Sequence, residues 1–324
     1  MEHTKAMVYG SLIGDSLALG VHWIYNVRAI EKRVGRIDDL IAPVVKTFHP
    51  NRKAGEFTHY GDQVMLLLSF CAERRGKRGA GDSGPSNIAG TSGPSFDGAA
   101  FLSLWAEYME GYDGYMDKAS KATLENYRKL SDEEKANIGF GEASAGGDID
   151  DLAGASRIAP VIYHYRDDRE VAVHAAKAQT AVTHNVPSVI ESAGFFADLT
   201  FRVLSGESPK SAAWSLAEQE YAGGTIAPLV IEGLDSEGRD TGEAIAEFGQ
   251  ACSVRKGLPS VMHLISTYEN NVKEALVEST MAGGDSAARN LAVGMILAAY
   301  RGLDGLPKKW LDGLAAKEKI EKLL

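Results

Sequence analysis

Cysteine is nearly missing from this chain. Cys71 and Cys252 are the only two among 324 residues, which excludes a disulfide framework and a cysteine zinc site and leads us to expect reduced thiols in a cytoplasmic protein. Long hydrophobic runs are missing as well. The apolar stretch after the first residues is broken by Asp15, well short of the about 18 apolar residues that a membrane span requires. The opening residues carry Glu2, His3 and Lys5 and do not resemble a secretory signal. An excess of positive charge is also absent: 34 Lys and Arg stand against 44 Asp and Glu, a net charge of -10. Such a surface repels phosphate backbones, so neither a nucleic-acid nor a membrane partner is expected.

Period-two alternation is scarce, and apolar residues recur instead at intervals of three and four. Val64, Leu67, Leu68 and Cys71 share a face, as do Phe101, Leu104, Trp105 and Tyr108, and Val189, Ala193, Phe196 and Leu199. These are amphipathic helices. Segments 170–182, 209–221, 241–252, 259–268 and 285–300 continue the series, several opening on proline or an acid. The pattern predicts an all-α protein, a compact orthogonal multi-helix bundle. No repeat or sharp compositional shift marks a boundary, so residues 1–324 are expected to form one domain. Residues 76–94 and 223–242 are rich in turn formers and poor in apolar residues, and are expected to be surface loops.

Four segments combine small residues with acids. In the first, Gly10 and Gly14 lie one turn apart and allow close approach of a second helix, while Asp15 sits inside an otherwise apolar helix and needs a partner or a wet cleft. In the second, Asp62 precedes an apolar helical run and reads equally as an N-cap or a ligand. In the third, Asp148, Asp150 and Asp151 crowd together ahead of Arg157. Their spacing is not that of an EF-hand loop, and they must be solvated or bridged by a cation or by Arg157. In the fourth, Gly283, Gly284, Asp285 and Ser286 lead into a helix, whose N-terminus can be capped by Asp285 or can receive a phosphate or a carboxylate-bound metal. His22, His49, His59 and His184 lie in or beside these segments and could donate to phosphate or ribose oxygens. Trp23, next to His22, could stack on a base.

Read in order, these segments resemble the ADP-ribosylglycohydrolase family across nearly the whole chain. The resemblance rests on residues 10–20, 155–160, Thr183-His184 and Leu258-Pro259, and above all on the closing run: residues 283–286, 292–302, Leu306-Pro307 and Trp310. The runs 21–25, 60–63 and 284–289 are more similar to a divergent branch that includes selenoprotein J and the jellyfish J-type crystallins. Family membership implies a hydrolase acting on a glycosidic bond of ADP-ribose or a related nucleotide sugar, with an ADP-ribose-like molecule or an ADP-ribosylated protein as substrate.

The family's active members hold two Mg2+ or Mn2+ ions between a Thr-Asp-Asp turn and an Asp-x-Asp-Thr turn. Here the matching positions read Tyr60, Gly61 and Asp62, then Asp285, Ala287 and Ala288, followed by Arg289. Two carboxylates and both threonines are gone. The resemblance therefore implies a reduced or altered metal site, with one ion or none. Asp62, Asp285 and Asp151 are the candidate ligands, and Asp62, Asp285 and Asp15 the candidate catalytic groups. Ser156, Arg157, Gly283, Gly284, Ser286, Arg289 and His22 are the candidate substrate contacts, and Arg289 is a candidate fixed positive charge in place of a metal. The alternative is a non-catalytic ligand-binding or structural protein on the same fold, as crystallin relatives suggest.

Overall fold

The computed structural model describes residues 2–45, 48–77, 96–136 and 145–324. In chain order its helices are α1 (Glu2–Ala18), α2 (Val27–Arg33), α3 (His59–Lys77), α4 (Gly98–Glu110), α5 (Lys118–Lys129), α6 (Asp132–Ala136), α7 (Ala153–Ser156), α8 (Ala159–His164), α9 (Arg169–Thr183), α10 (Pro187–Leu204), α11 (Pro209–Glu218), α12 (Ala227–Asp235), α13 (Thr241–Phe248), α14 (Val254–Thr267), α15 (Val272–Met281), α16 (Ser286–Arg301), α17 (Lys308–Gly313) and α18 (Lys317–Leu323). Among the described residues two isolated bridges, Gly147 with His184 and Asp151 with Ser253, take the place of strands. The protein is all-α, as the periodicity predicts.

Local chemistry sets the helix ends. Asp97, Asp117, Asp168, Ser208, Asp240, Asn271 and Asp285 each cap a helix by accepting from a backbone N–H in its first turn, which satisfies donors that the helix leaves open. Three expectations need correction. Segment 223–242 contains α12: Ile226, Val230 and Leu234 recur every four residues and are buried, a stripe obscured by the surrounding turn formers. The helix expected over 241–252 ends at Phe248, because Gly249 takes φ 100° and redirects the chain toward the candidate site. Pro259 does not open its helix but lies inside α14, which starts behind Ser253. Most of the loop expected over 76–94 lies outside the described residues.

The first and last long helices form the central pair. A Cβ added at Gly10 would stand 2.2 Å from the Gly294 carbonyl oxygen, and one at Gly14 would stand 2.3 Å from that of Asn290. The two backbones therefore touch directly along α1 and α16, as the Gly10/Gly14 spacing predicts. Asn290 reinforces the crossing by donating to the carbonyls of Gly14 and Leu276 and to Thr280 Oγ1. Buried apolar side chains from Ala6 to Ile320 form one cluster around this pair.

Asp15 is fully buried on α1. Its two oxygens accept from the Thr58 backbone N–H at 2.8 Å and the Thr58 hydroxyl at 2.5 Å. A Cβ at Gly61 would lie 2.4 Å from Asp15 Oδ2, so the carboxylate occupies the space of a missing Gly61 side chain. Burial pushes its pKa up to about 7, against the hydrogen bonds from Thr58. A carboxyl raised on folding stabilises the fold fully below its unfolded pKa, and loses that contribution as pH rises through the folded value. Wild type is therefore expected to lose on the order of 3 kcal/mol relative to Asp15→Asn as the pH is raised from 4 to 8. Urea unfolding of both proteins at the two pH values checks this, and a constant difference between them contradicts it.

Candidate active site

Asp285 caps α16 at the end of the Gly283-Gly284 turn. Both glycines have positive φ, 71° and 66°, a conformation open to glycine at little cost. Their N–H groups are used internally: Gly283 donates to Thr280, Gly284 to Ile24, and Asp285 to Gln250, while the Gly284 carbonyl accepts from Trp23. Trp23, at φ 62°, is the one non-glycine residue with positive φ among the described residues. It is held in this costly conformation by the reciprocal bonding to Gly284. The turn thus fixes where Asp285 points, and the N-terminal end of α16 favours negative charge there.

Asp151 reaches the same place from another part of the chain. Leu152 N–H donates to the Cys252 carbonyl and Val254 N–H to that of Asp150, both at 2.8 Å, pinning Asp151 beside Cys252. Asp148 and Asp150 stay exposed, so the acidic cluster sends one member inward. The Tyr60 hydroxyl, from the first turn of α3, lies 3.4 Å from Asp151 Oδ2 and 3.3 Å from Asp285 Oδ2. Burial, reinforced by Asp285, raises the Asp151 pKa well above the carboxylate range, and burial beside both acids raises the Tyr60 pKa. Burial also pushes the Cys252 thiol up. One ligand atom each from Asp151, Cys252 and Asp285 falls within 4.8 Å of the others.

Three histidines adjoin this pair. His22 Nε2 lies 2.9 Å from Asp285 Oδ1, and its Nδ1 lies 3.0 Å from His49 Nε2. His59, from α3, completes a second group whose ligand atoms fall within 4.8 Å of one another. Burial holds the His49 pKa down to about 3 and that of His59 well below the usual range. Trp23 stacks on His22 at 4.3 Å between ring centres, and Tyr115 meets Trp23 and His59 edge-on. Toward solvent, the half-buried residues 250–253 and the segment from Trp23 to the exposed Tyr25 border the site.

Of the residues singled out from sequence, the structure brings together Asp285, Asp151 and His22. Asp62 belongs to neither group: its carboxylate accepts from Arg52 and from the Tyr112 hydroxyl at 2.6 Å. Arg289 does not stand in for a metal. Its guanidinium donates to the carbonyls of Ser279 and Gly283, supporting the turn from below. Arg157 is buried with Gln63 and Thr183 as partners, and the Ser156 hydroxyl bonds back to the Leu152 carbonyl. The Ser286 hydroxyl is buried with no hydrogen-bond partner. Sequence reasoning named Tyr60 as a lost threonine and as part of the 60–63 run, with no role in the site, and left Cys252 unassigned. Their roles arise from the Asp151–Ser253 bridge, a non-local pairing without a local signal.

Comparison with known proteins bears on this geometry. The ADP-ribosylglycohydrolase family model matches residues 1–324. The chain belongs to the ADP-ribosylglycohydrolase family. Crystallin J1A of Tripedalia cystophora is 20% identical over 329 residues, covering 98% of this chain and 94% of the crystallin. An uncharacterized protein of Archaeoglobus fulgidus is 21% identical over 325 residues, covering 99% and 94%. A solved structure described as an ADP-ribosylglycohydrolase-related protein complex superposes with a TM-score of 0.70 at 19% identity, covering 99% of this chain and 95% of that one.

Within this ADP-ribosylglycohydrolase fold, a pair of hard cations does not fit the residues present. Asp15 fills the space beside Gly61, Asp62 is committed to Arg52 and Tyr112, and Ala287 and Ala288 offer no side-chain oxygen. What remains mixes two carboxylates with a thiol and an imidazole, unlike the near-octahedral oxygen shell that Mg2+ demands. The turn is a sensitive point of this site. A Cβ at Gly284 would stand 2.3 Å from the Gln250 carbonyl that receives the Asp285 N–H. Gly284→Ala is expected to cost about 1–3 kcal/mol of stability and to displace Asp285. A urea midpoint equal to wild type contradicts that.

Proposed function

We propose that the protein hydrolyses a glycosidic bond of ADP-ribose or a related nucleotide sugar, free or attached to a protein, and that residues 1–324 act as one catalytic domain. The observation that carries this reading is the convergence of Asp151 and Asp285 on the Tyr60 hydroxyl, at 3.4 and 3.3 Å, behind an aromatic border. In such a reaction the bond from the anomeric carbon to the leaving oxygen or nitrogen breaks, and a bond from that carbon to water forms. One carboxyl group gives a proton to the leaving atom; the other carboxylate, with an oxygen within 4.8 Å of the first, is close enough to attack the anomeric carbon itself, and water then displaces it while the first group takes the water's proton. Tyr60 donates to whichever carboxylate is charged. Trp23 and Tyr25 offer faces for a base, and His22 holds Asp285 in orientation.

Calorimetric titration of the purified protein with ADP-ribose tests the binding half of this reading, once with Mg2+ and once with chelator. Saturable binding in both conditions is the expected result, because the hard-cation ligands are largely replaced. The absence of heat in both sinks the reading. A second reading, a structural or ligand-binding protein without turnover, is favoured by the end-to-end similarity to Crystallin J1A. It predicts native stability with no release of product from any ADP-ribosyl substrate.

A further inference from the structure

We propose that His22, His49 and His59 form a binding site for one divalent transition metal of the zinc class, built from nitrogen ligands. The site stands independently of the hydrolase reading and differs in chemistry from the oxygen-ligated Mg2+ or Mn2+ pair implied by the family.

Three observations carry it. First, the three imidazoles place ligand atoms within 4.8 Å of one another, all buried. Ligands about 2.0–2.1 Å from a tetrahedral ion stand about 3.3 Å apart, and His22 Nδ1 and His49 Nε2 are 3.0 Å apart. Second, neither ring nitrogen of His59 has a hydrogen-bond partner, although the side chain is fully buried. The Asp117 carboxylate stands 3.4 Å from its Nε2 but outside hydrogen-bond geometry. An imidazole buried in this way loses its hydration with nothing in return, and a metal ion supplies the missing partner. Third, His22 is already oriented as a ligand. A carboxylate can only accept, so at the 2.9 Å contact with Asp285 Oδ1 the His22 Nε2 carries the proton. In the neutral ring, Nδ1 then presents a lone pair toward His49. A carboxylate behind a histidine is the usual outer support of a metal ligand, fixing tautomer and ring plane.

The donor set selects the metal. Three imidazoles suit Zn2+, Co2+ or Ni2+ and are poor ligands for Mg2+. Three protein ligands also leave a coordination position for water or a substrate oxygen, as in zinc sites that do chemistry rather than hold structure. The aromatic rings of Trp23 and Tyr115, 5.3 and 5.4 Å from the His59 ring centre, shield one side.

The test uses the full chain, stripped with chelator and titrated with Zn2+ alone by calorimetry and with Co2+ alone by visible absorption. One equivalent of each ion is expected. The Co2+ protein should show the intense ligand-field bands of a four- or five-coordinate site, and its proton NMR spectrum should show paramagnetically shifted imidazole resonances. His49→Gln and His59→Gln should each weaken Zn2+ binding by at least about 100-fold, and Asp285→Asn by about 10- to 100-fold. His174→Gln, outside the cluster, should leave the titration unchanged. No uptake by wild type overturns the proposal, as does uptake that survives both histidine substitutions. If the variants fail to fold, the wild-type Co2+ spectra still decide, because bands of an octahedral oxygen-ligated ion without shifted imidazole signals overturn it equally.

Discussion

Asp285→Asn is expected to lower the rate of ADP-ribose release by about 10²- to 10⁴-fold, the range for removing a general acid or base, while leaving the helical fold intact. The substitution keeps the size of the side chain and its ability to cap α16, because an amide oxygen can still accept from the Ala288 N–H. What it removes is charge. The carboxylate that accepts from His22 and stands 3.3 Å from the Tyr60 hydroxyl becomes a neutral amide, and the buried repulsion that raises Asp151 is relieved. Burial, the larger cause, still raises the Asp151 pKa, so the loss of the Asp285 charge lowers it only in part. The two carboxyl groups serve one reaction as a unit, so Asp151→Asn and the double variant should show losses similar to the single one rather than additive losses. Turnover within threefold of wild type for Asp285→Asn contradicts the role assigned to it.

Gly10→Ala and Gly294→Ala are expected to be the most damaging single substitutions in the scaffold, each lowering stability by about 3 kcal/mol or more. Overpacking a core commonly costs about 1–3 kcal/mol when side chains can adjust. Here the obstacle is backbone: the added carbon would stand 2.2 Å from the Gly294 carbonyl oxygen in one case and 2.1 Å from the Gly10 carbonyl oxygen in the other. No rotamer change relieves that contact, so the helices must separate. The gain of about 1 kcal/mol from replacing a mid-helix glycine with alanine offsets only part of the loss. Separation of α1 from α16 also moves Asp15 relative to Asp285, linking scaffold damage to the site. Gly111→Ala, which has open space around it and a negative φ of -97°, should unfold as wild type does. Urea midpoints for the three variants check the contrast, and a native midpoint for Gly10→Ala contradicts it.

The all-α architecture was legible in the sequence because helical periodicity is a local property. Residues such as Val189, Ala193, Phe196 and Leu199 report the face they bury without knowledge of what they meet. The close approach of a second helix to α1 was legible for a similar reason, since Gly10 and Gly14 lie one turn apart, but that the partner is α16 was not. The site was only half legible. Asp285 and His22 announce themselves by standing next to glycine turns or in an apolar run. Asp62 stands in an equally suggestive place, yet the direction of its side chain is decided by Arg52 and Tyr112, the latter from beyond the end of α4. Arg289 lies where sequence places it, beside the turn, but its hydrogen bonds go to carbonyls of the 279–283 segment rather than toward the acids. Spacing cannot distinguish these outcomes. The meeting of Tyr60, Asp151 and Cys252 depends on a bridge between segments about a hundred residues apart, which no local pattern encodes.

The make-up of the site also follows a physical logic. A pair of dications is stable only among several negative oxygens. With Gly61 and Ala287 at positions where the resemblance implies carboxylates, Asp151 and Asp285 need another source of balance. The structure places a phenol between them and an imidazole against one of them. In the proposed reaction that arrangement would move protons without a pair of hard cations.

Release of ADP-ribose from N-linked and O-linked ADP-ribosyl substrates by wild type and Asp151→Asn, side by side, measures whether this carboxylate pair cleaves an ADP-ribosyl bond. Release from at least one substrate by wild type is expected, with a loss of about 10²-fold or more in the variant. Equal release by the two proteins, or no release from any substrate by wild type, contradicts it.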